Sequence, residues 1–176
     1  MKVLHCTDKK NIDRIKKEGL EIPPCAGKEG LVNILFDMMA ENMGISARRI
    51  NAIHAMSPYW EDAHVAFCKT RDFDGVDDAV IVYDAEDSSL VCDGEPIMNC
   101  EIIINKDKQV ISNCLKEARN YWEKGIPLKD IYKQSDVEGK EILVPGPIAP
   151  EKLRVYNSLA EALKNLIGGN HGTDDL

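Results

Sequence analysis

The feature that most limits the fold of this chain is the segment 141–148, in which a short apolar run follows one carboxylate and is closed by prolines. Residues 142–144 are consecutively apolar, which predicts a strand buried on both faces. Because proline has no N–H group to donate to a neighbouring strand, Pro145 predicts that regular pairing stops near Val144. Glu141 then stands at the mouth of a buried strand, where a rigidly held carboxylate can face a developing positive charge. The alternative interpretation of Glu141 is an exposed, solvated strand-entry residue.

The composition predicts one globular domain. The chain has 176 residues, of which 44% are hydrophobic and 30% are charged. We expect a single domain over residues 1–167 and a disordered polar tail over 168–176. The net charge of −8 argues against a broad nucleic-acid interface, which needs a basic face. No apolar run approaches the ~20 residues that span a bilayer, and no signal-peptide block follows Met1, so we expect a cytoplasmic protein without a membrane partner.

The cysteine pattern predicts thiols rather than a metal site. The six cysteines include no C-x-x-C pair, and a structural zinc site needs close ligand pairs. We therefore expect reduced, partly buried thiols. The acidic stretch 71–78 lacks the twelve-residue pattern of a calcium loop with its closing glutamate. No metal is expected.

Periodicity along the chain predicts an α+β fold. Strands are predicted at residues 2–7, 64–70, 79–83, 100–104, 140–144 and 153–156. Helices are predicted at residues 8–17, 31–43, from Ser46 to about Ile53, at 108–124 and from Ser158 to 167. Gly19 fits a left-handed end of the first helix. Ser158 and Glu161 form a capping-box pattern at the start of the last one.

Two basic residues, Arg48 and Arg49, form the densest positive spot in the first half of the chain. One interpretation is a pair of solvated side chains. The sharper interpretation is a contact with a phosphate group.

Two segments together resemble proteins of the ADP-ribosyltransferase fold. The first is His5-Cys6-Thr7 followed by Asn11, Ile15 and Gly19-Leu20, and the second is Glu141-Ile142-Leu143-Val144 followed by Pro147-Ile148. The first resembles the histidine strand that opens this fold, and the second resembles the strand of its catalytic glutamate. The branch with poly-ADP-ribose polymerases and DarT-type DNA-modifying toxins is the most similar. The resemblance implies split mixed and antiparallel sheets, with flanking helices around an NAD cleft.

The resemblance also implies roles for individual residues. Glu141 would stabilise the oxocarbenium-like transition state as nicotinamide leaves NAD, which is the substrate. His5 would bind the adenosine-side ribose, and Thr7 would support the same pocket. The backbone of Cys6 would contact the nicotinamide amide, and Phe73 would stack on the nicotinamide ring. The acceptor of ADP-ribose, whether protein, nucleic acid or small molecule, is not implied.

The chain departs from the family pattern at two places. Gly139 stands where many relatives have glutamate or glutamine, so an arginine-directed enzyme is not supported. No tyrosine follows directly after residues 65–68, where polymerase-type relatives place one. Three functions stay open in this order: a mono-ADP-ribosyltransferase, a non-catalytic NAD- or nucleotide-binding module of the same fold, and an RNA 2′-phosphotransferase-like enzyme.

Overall fold

The protein was analysed as a computed structural model that describes residues 1–22, 27–57, 78–106, 110–131 and 140–167. The strand predicted at 64–70, the stacking residue Phe73 and the tail 168–176 lie outside the described residues.

The described part of the chain has an α+β architecture, as the periodicity predicts. Its strands are β1 (Lys2–Asp8), β2 (Ala52–Met56), β3 (Asp78–Asp84), β4 (Leu90–Asp93), β5 (Ile126–Pro127), β6 (Lys140–Pro145) and β7 (Arg154–Tyr156). Its helices are α1 (Ile12–Glu18), α2 (Gly27–Asn42), α3 (Glu95–Lys106), α4 (Val110–Glu123) and α5 (Leu159–Ile167). Single 3₁₀ turns occupy Lys9–Asn11, Leu128–Asp130 and Pro150–Lys152.

Within the described residues, the seven strands form one antiparallel sheet in the order β5-β4-β6-β2-β1-β3-β7. Its two halves, β5-β4-β6-β2 and β1-β3-β7, are joined through a single registered pair, Leu4 opposite Met56. Strand β6 is central to the first half, and its apolar run Ile142–Leu143–Val144 is almost fully buried, as predicted. The more specific ADP-ribosyltransferase-like arrangement stays a prediction.

The two faces of the sheet carry different cores. One face, which includes Val3, Ile53 and Ile142, packs against Ile15 and Leu20 from the first helix and the residues after it. On the other face, α2, α3 and α4 cover the β4-β6-β2 half of the sheet. Helix α5 covers the β1-β3 half of that same face. The second face is therefore covered by two groups of helices over the two halves of the sheet.

The segments that carry the family resemblance lie side by side. Leu20 and Ile148 exchange two backbone hydrogen bonds of 2.9 and 3.0 Å. Gly19 makes this approach possible, because its φ is +92° and a Cβ atom there would lie 2.3 Å from the Ile148 carbonyl oxygen. The helix before it ends as predicted, with the Gly19 N–H donating to the Ile15 carbonyl oxygen at 2.8 Å.

Two predicted elements are wrong. Residues 100–104 are part of helix α3 rather than a strand. At the start of this helix, the Glu95 N–H donates to Asp93 Oδ1 at 3.0 Å. The isoleucines of that stretch favour a strand only through local propensity, which tertiary packing overrides. The helix predicted from Ser46 is also absent from the described residues, since Ala52–Met56 pairs with β6 as a strand.

The prediction that the cysteines are reduced is wrong for one pair. Cys100 on α3 and Cys114 on α4 form a disulfide, and both are fully buried. Cys6 and Cys92 are buried cysteines that form no disulfide. The disulfide therefore links two of the three helices that cover the first half of the sheet.

Candidate functional site

Glu141 lies on the face of the sheet that carries the two groups of helices. In the register it stands between Met56 of β2 and Cys92 of β4. Met56 packs against the core under α5, whereas Cys92 belongs to the core under α2, α3 and α4. Glu141 is thus placed at the boundary between the two groups, where its side chain keeps 18% of its surface exposed.

Arg49 is the buried cation that pairs with Glu141. Its guanidinium donates to both carboxylate oxygens, and only 5% of the side chain is exposed. Two further bonds of 2.7 Å, from Nε to Asn33 Oδ1 and from Nη1 to the Tyr121 hydroxyl, fix its orientation. The backbone N–H of Arg49 donates to Asp37 Oδ1, also at 2.7 Å, so the segment before β2 is held against α2.

Tyr121 joins the cation and the anion. Its hydroxyl accepts from Arg49 and donates to Glu141 Oε2 at 2.8 Å. The Arg49 guanidinium carbon also lies 5.1 Å from the centre of the Tyr121 ring, within the range of a cation–π contact. Burial raises the pKa of Tyr121 well above its usual value, so the phenol stays a neutral donor. Helix α4 supplies Tyr121 from its buried stripe.

His54 completes the cluster from strand β2. Its Nδ1 atom contacts Glu141 Oε1, and its Nε2 atom lies 3.1 Å from the Arg49 carbonyl oxygen. Both ring nitrogens therefore lie near oxygen atoms, and Nδ1 also lies 3.3 Å from Nη2 of Arg49. The side chain is 28% exposed, more than Glu141 or Arg49.

These contacts use the full acceptor capacity of Glu141. Oε1 accepts from His54 and Arg49, and Oε2 accepts from Arg49 and Tyr121. A carboxylate offers about four lone-pair positions, so each is taken by a protein donor. Burial by itself would raise the pKa of Glu141, but the Arg49 charge and the His54 hydrogen bond outweigh it and hold that pKa well below the usual carboxyl range. The group is an anion at neutral pH and cannot act as a general acid.

His5 and Thr7 do not face Glu141. Leu4 lies opposite Met56, which lies opposite Glu141, so these three side chains share one face. His5 and Thr7 alternate with Leu4 and belong to the other face. The expectation that His5, Thr7 and Glu141 line one cleft is therefore wrong for this arrangement of the strands.

The predicted site residues of β1 contact groups other than Glu141. His5 Nδ1 lies 2.9 Å from the His54 carbonyl oxygen, which ties β1 to the strand that carries His54. The buried Thr7 hydroxyl accepts from Asn11 Nδ2 at 3.2 Å. Cys6 packs its side chain into the core under α5.

Sequence reasoning missed most of the cluster. The sequence presents Arg49 only as a solvated residue or a phosphate contact, and no pattern in it singles out His54 or Tyr121. Tyr121 lies on the apolar stripe of α4 and has no local mark of a polar role. A buried arginine would indicate an anionic partner, because a buried guanidinium requires one. The burial of Arg49, however, is visible only in the fold.

Other parts of the molecule offer less chemistry. Among the described residues, no group of three or more His, Cys, Asp or Glu side chains is placed to hold a metal ion. A cavity of about 490 Å³ lies at the β3–β7 edge, lined in part by Lys2, Tyr83, Asp84 and Arg154. None of the residues around Glu141 lines it.

No helix in the described ranges is long and apolar enough to cross a membrane.

No family model matches the chain, and neither the curated proteins nor the solved structures include a match.

Proposed function

We propose that the protein is an NAD-dependent mono-ADP-ribosyltransferase in which Glu141 stabilises the transition state. The observation that supports this is the state of Glu141 itself: an ionised carboxylate, fixed by Arg49 and Tyr121 at the mouth of a buried strand, with an edge exposed to solvent. The glycosidic bond to nicotinamide breaks with positive charge developing on the ribose. A preorganised anion stabilises that charge without having to reorient during the reaction.

In this proposal the binding of NAD depends on the Glu141 cluster rather than on the first strand. A hydroxyl group of the nicotinamide-side ribose would donate a hydrogen bond to the Glu141 carboxylate. His5, Thr7 and Cys6, which the resemblance assigns to the nucleotide pocket, would then act mainly by shaping β1. His5 does so by holding the main chain of His54. A cytoplasmic location stays a prediction beyond this proposal.

One observation favours the second candidate, a non-catalytic NAD- or nucleotide-binding module of the same fold. Each acceptor position of Glu141 is filled by the protein, which is also what a purely structural ion cluster requires.

An RNA 2′-phosphotransferase function is disfavoured, because Arg49 is buried against Glu141 and Arg48 donates to the Ala47 carbonyl oxygen at 2.8 Å. Arg49 is therefore not placed as a surface contact for RNA phosphates, and Nη1 of Arg48 is held by main-chain oxygens.

The test is transfer of labelled ADP-ribose, together with nicotinamide release, by Glu141→Gln. Glutamine keeps the size of the side chain but removes the charge, so we expect a loss on the order of 100-fold or more. Glu123→Gln is the matched control, since Glu123 is half exposed on α4 and pairs only loosely with Arg119, at 3.8 Å. The proposal is wrong if Glu141→Gln is folded and as active as the control. Binding of NAD without nicotinamide release by the wild type would favour the module.

A further inference from the structure

The donors around Glu141 differ in how firmly they are held. Arg49 is 5% exposed and has further bonds to Asn33 and Tyr121. Tyr121 is fully buried in the core under α2, α3 and α4. His54 is 28% exposed, and its other nitrogen makes one hydrogen bond, of 3.1 Å, to a main-chain oxygen. A ligand that arrives from solvent therefore meets His54 as the donor it can most easily displace.

We propose that His54 is a positioning residue that occupies the substrate's place on Glu141. In the unliganded protein its Nδ1–H group takes the Oε1 position, and the ring turns away when a ribose hydroxyl of NAD donates there instead. This inference rests on the proposed function, because it needs Glu141 to accept a hydroxyl of NAD. It explains how a carboxylate with no vacant acceptor position can still bind substrate.

The main chain around His54 is fixed while its ring is not. Leu143 stands opposite His54 in the register with β6, and the His54 carbonyl oxygen accepts from the His5 ring at 2.9 Å. A rotation about the side-chain torsions of His54 breaks the contacts of the ring to Glu141, to the Arg49 carbonyl oxygen and to Arg49 Nη2. Displacement is therefore a local side-chain movement that leaves the sheet intact.

Removal of the ring should tighten NAD binding. His54→Ala lacks the hydrogen bond from the His54 ring to the Glu141 carboxylate. The ribose hydroxyl of NAD then no longer has to displace that bond. We expect the dissociation constant of NAD to fall roughly 10-fold, measured by calorimetry. His54→Asn is the matched control, because its amide can still donate to Glu141 from a similar distance along the side chain, and its affinity should stay near that of the wild type. A purely structural His54 predicts weaker binding in His54→Ala.

A second measurement uses the wild type alone and so does not depend on a variant folding. The ring of His54 is labelled with ¹⁵N, and its Nδ1 resonance is followed as NAD is added. We expect the resonance of the carboxylate-bonded nitrogen to be lost as NAD saturates the protein. An unchanged resonance at saturation overturns the proposal.

The two proposals fail in different ways. If the wild type binds NAD and Glu141→Gln loses transfer, but His54→Ala binds NAD no more tightly than the wild type, only the role of His54 is wrong. If the wild type neither binds NAD nor releases nicotinamide, the proposed function is wrong and the role of His54 falls with it.

Discussion

Replacement of Arg49 by methionine isolates the energy of the Glu141 cluster. Methionine keeps most of the apolar length of the side chain but removes the charge and its donors. Glu141 then stays largely buried beside Tyr121 without its cation. Removal of one partner of a buried pair costs about 3–5 kcal/mol, because an uncompensated charge is left behind. For a domain with about 5–15 kcal/mol of total stability, Arg49→Met should still fold at room temperature.

Urea denaturation followed by circular dichroism measures this cost. With a slope of about 2 kcal/mol per molar urea, the midpoint should fall by roughly 1.5–2.5 M. Arg14→Met is the control, since the ion pair of Arg14 with Glu21 is at least half exposed on both sides and should contribute at most about 1 kcal/mol. A loss of less than about 1 kcal/mol in Arg49→Met would show that the cluster does not hold a buried charge.

The pH dependence of the same two proteins gives an independent test. The pKa of Glu141 is depressed in the folded state relative to about 4.3 in the unfolded chain. Its stabilising contribution is therefore fully present above about pH 4.3 and is lost as the pH falls below that value. The wild type should lose stability from this group progressively as the pH falls below about 4.3, whereas Arg49→Met lacks the depression and should lose less. Parallel acid curves for the two proteins would contradict the assigned ion pair.

Further predictions concern the framework around the site. Cys100→Ala/Cys114→Ala removes a cross-link between residues 14 apart and should cost about 3 kcal/mol, and dithiothreitol should lower the urea midpoint of the wild type but not of this variant. Gly19→Ala should cost about 2 kcal/mol or more, because its φ is +92° and the new Cβ would meet the Ile148 carbonyl oxygen at 2.3 Å. Gly44 has a φ of +70°, and a Cβ atom added there would have no other atom within 4 Å, so Gly44→Ala should cost only about 1 kcal/mol. Equal urea midpoints for the two glycine variants would refute the close approach at Gly19.

The elements that could be predicted from the sequence are those with local signals. The prolines after Val144 mark the end of β6, which ends at Pro145. Ser158 caps the last helix by accepting the Glu161 N–H at 3.1 Å, as its spacing predicts. Gly19 ends the first helix with a φ of +92°, a value that glycine adopts without steric cost. Each of these depends on residues within a few positions of one another.

The candidate site could be predicted only in part, because its contacts are distant along the chain. Glu141 could be selected from its place before an apolar run, but Arg49 lies 92 residues away. The pairing of β2 between β1 and β6 is what brings His54 beside Glu141 and turns His5 to the other face. That strand order is a property of the whole sheet, and no local pattern in residues 46–56 reveals it.

A crystal structure of the protein with NAD tests the central claim most directly. The account predicts that the anomeric carbon of the nicotinamide ribose lies about 3–3.5 Å from the Glu141 carboxylate, with the His54 ring turned away. NAD bound on the opposite face, beside His5 and Thr7, with the contacts of Glu141 to His54 and Tyr121 unchanged, would contradict it.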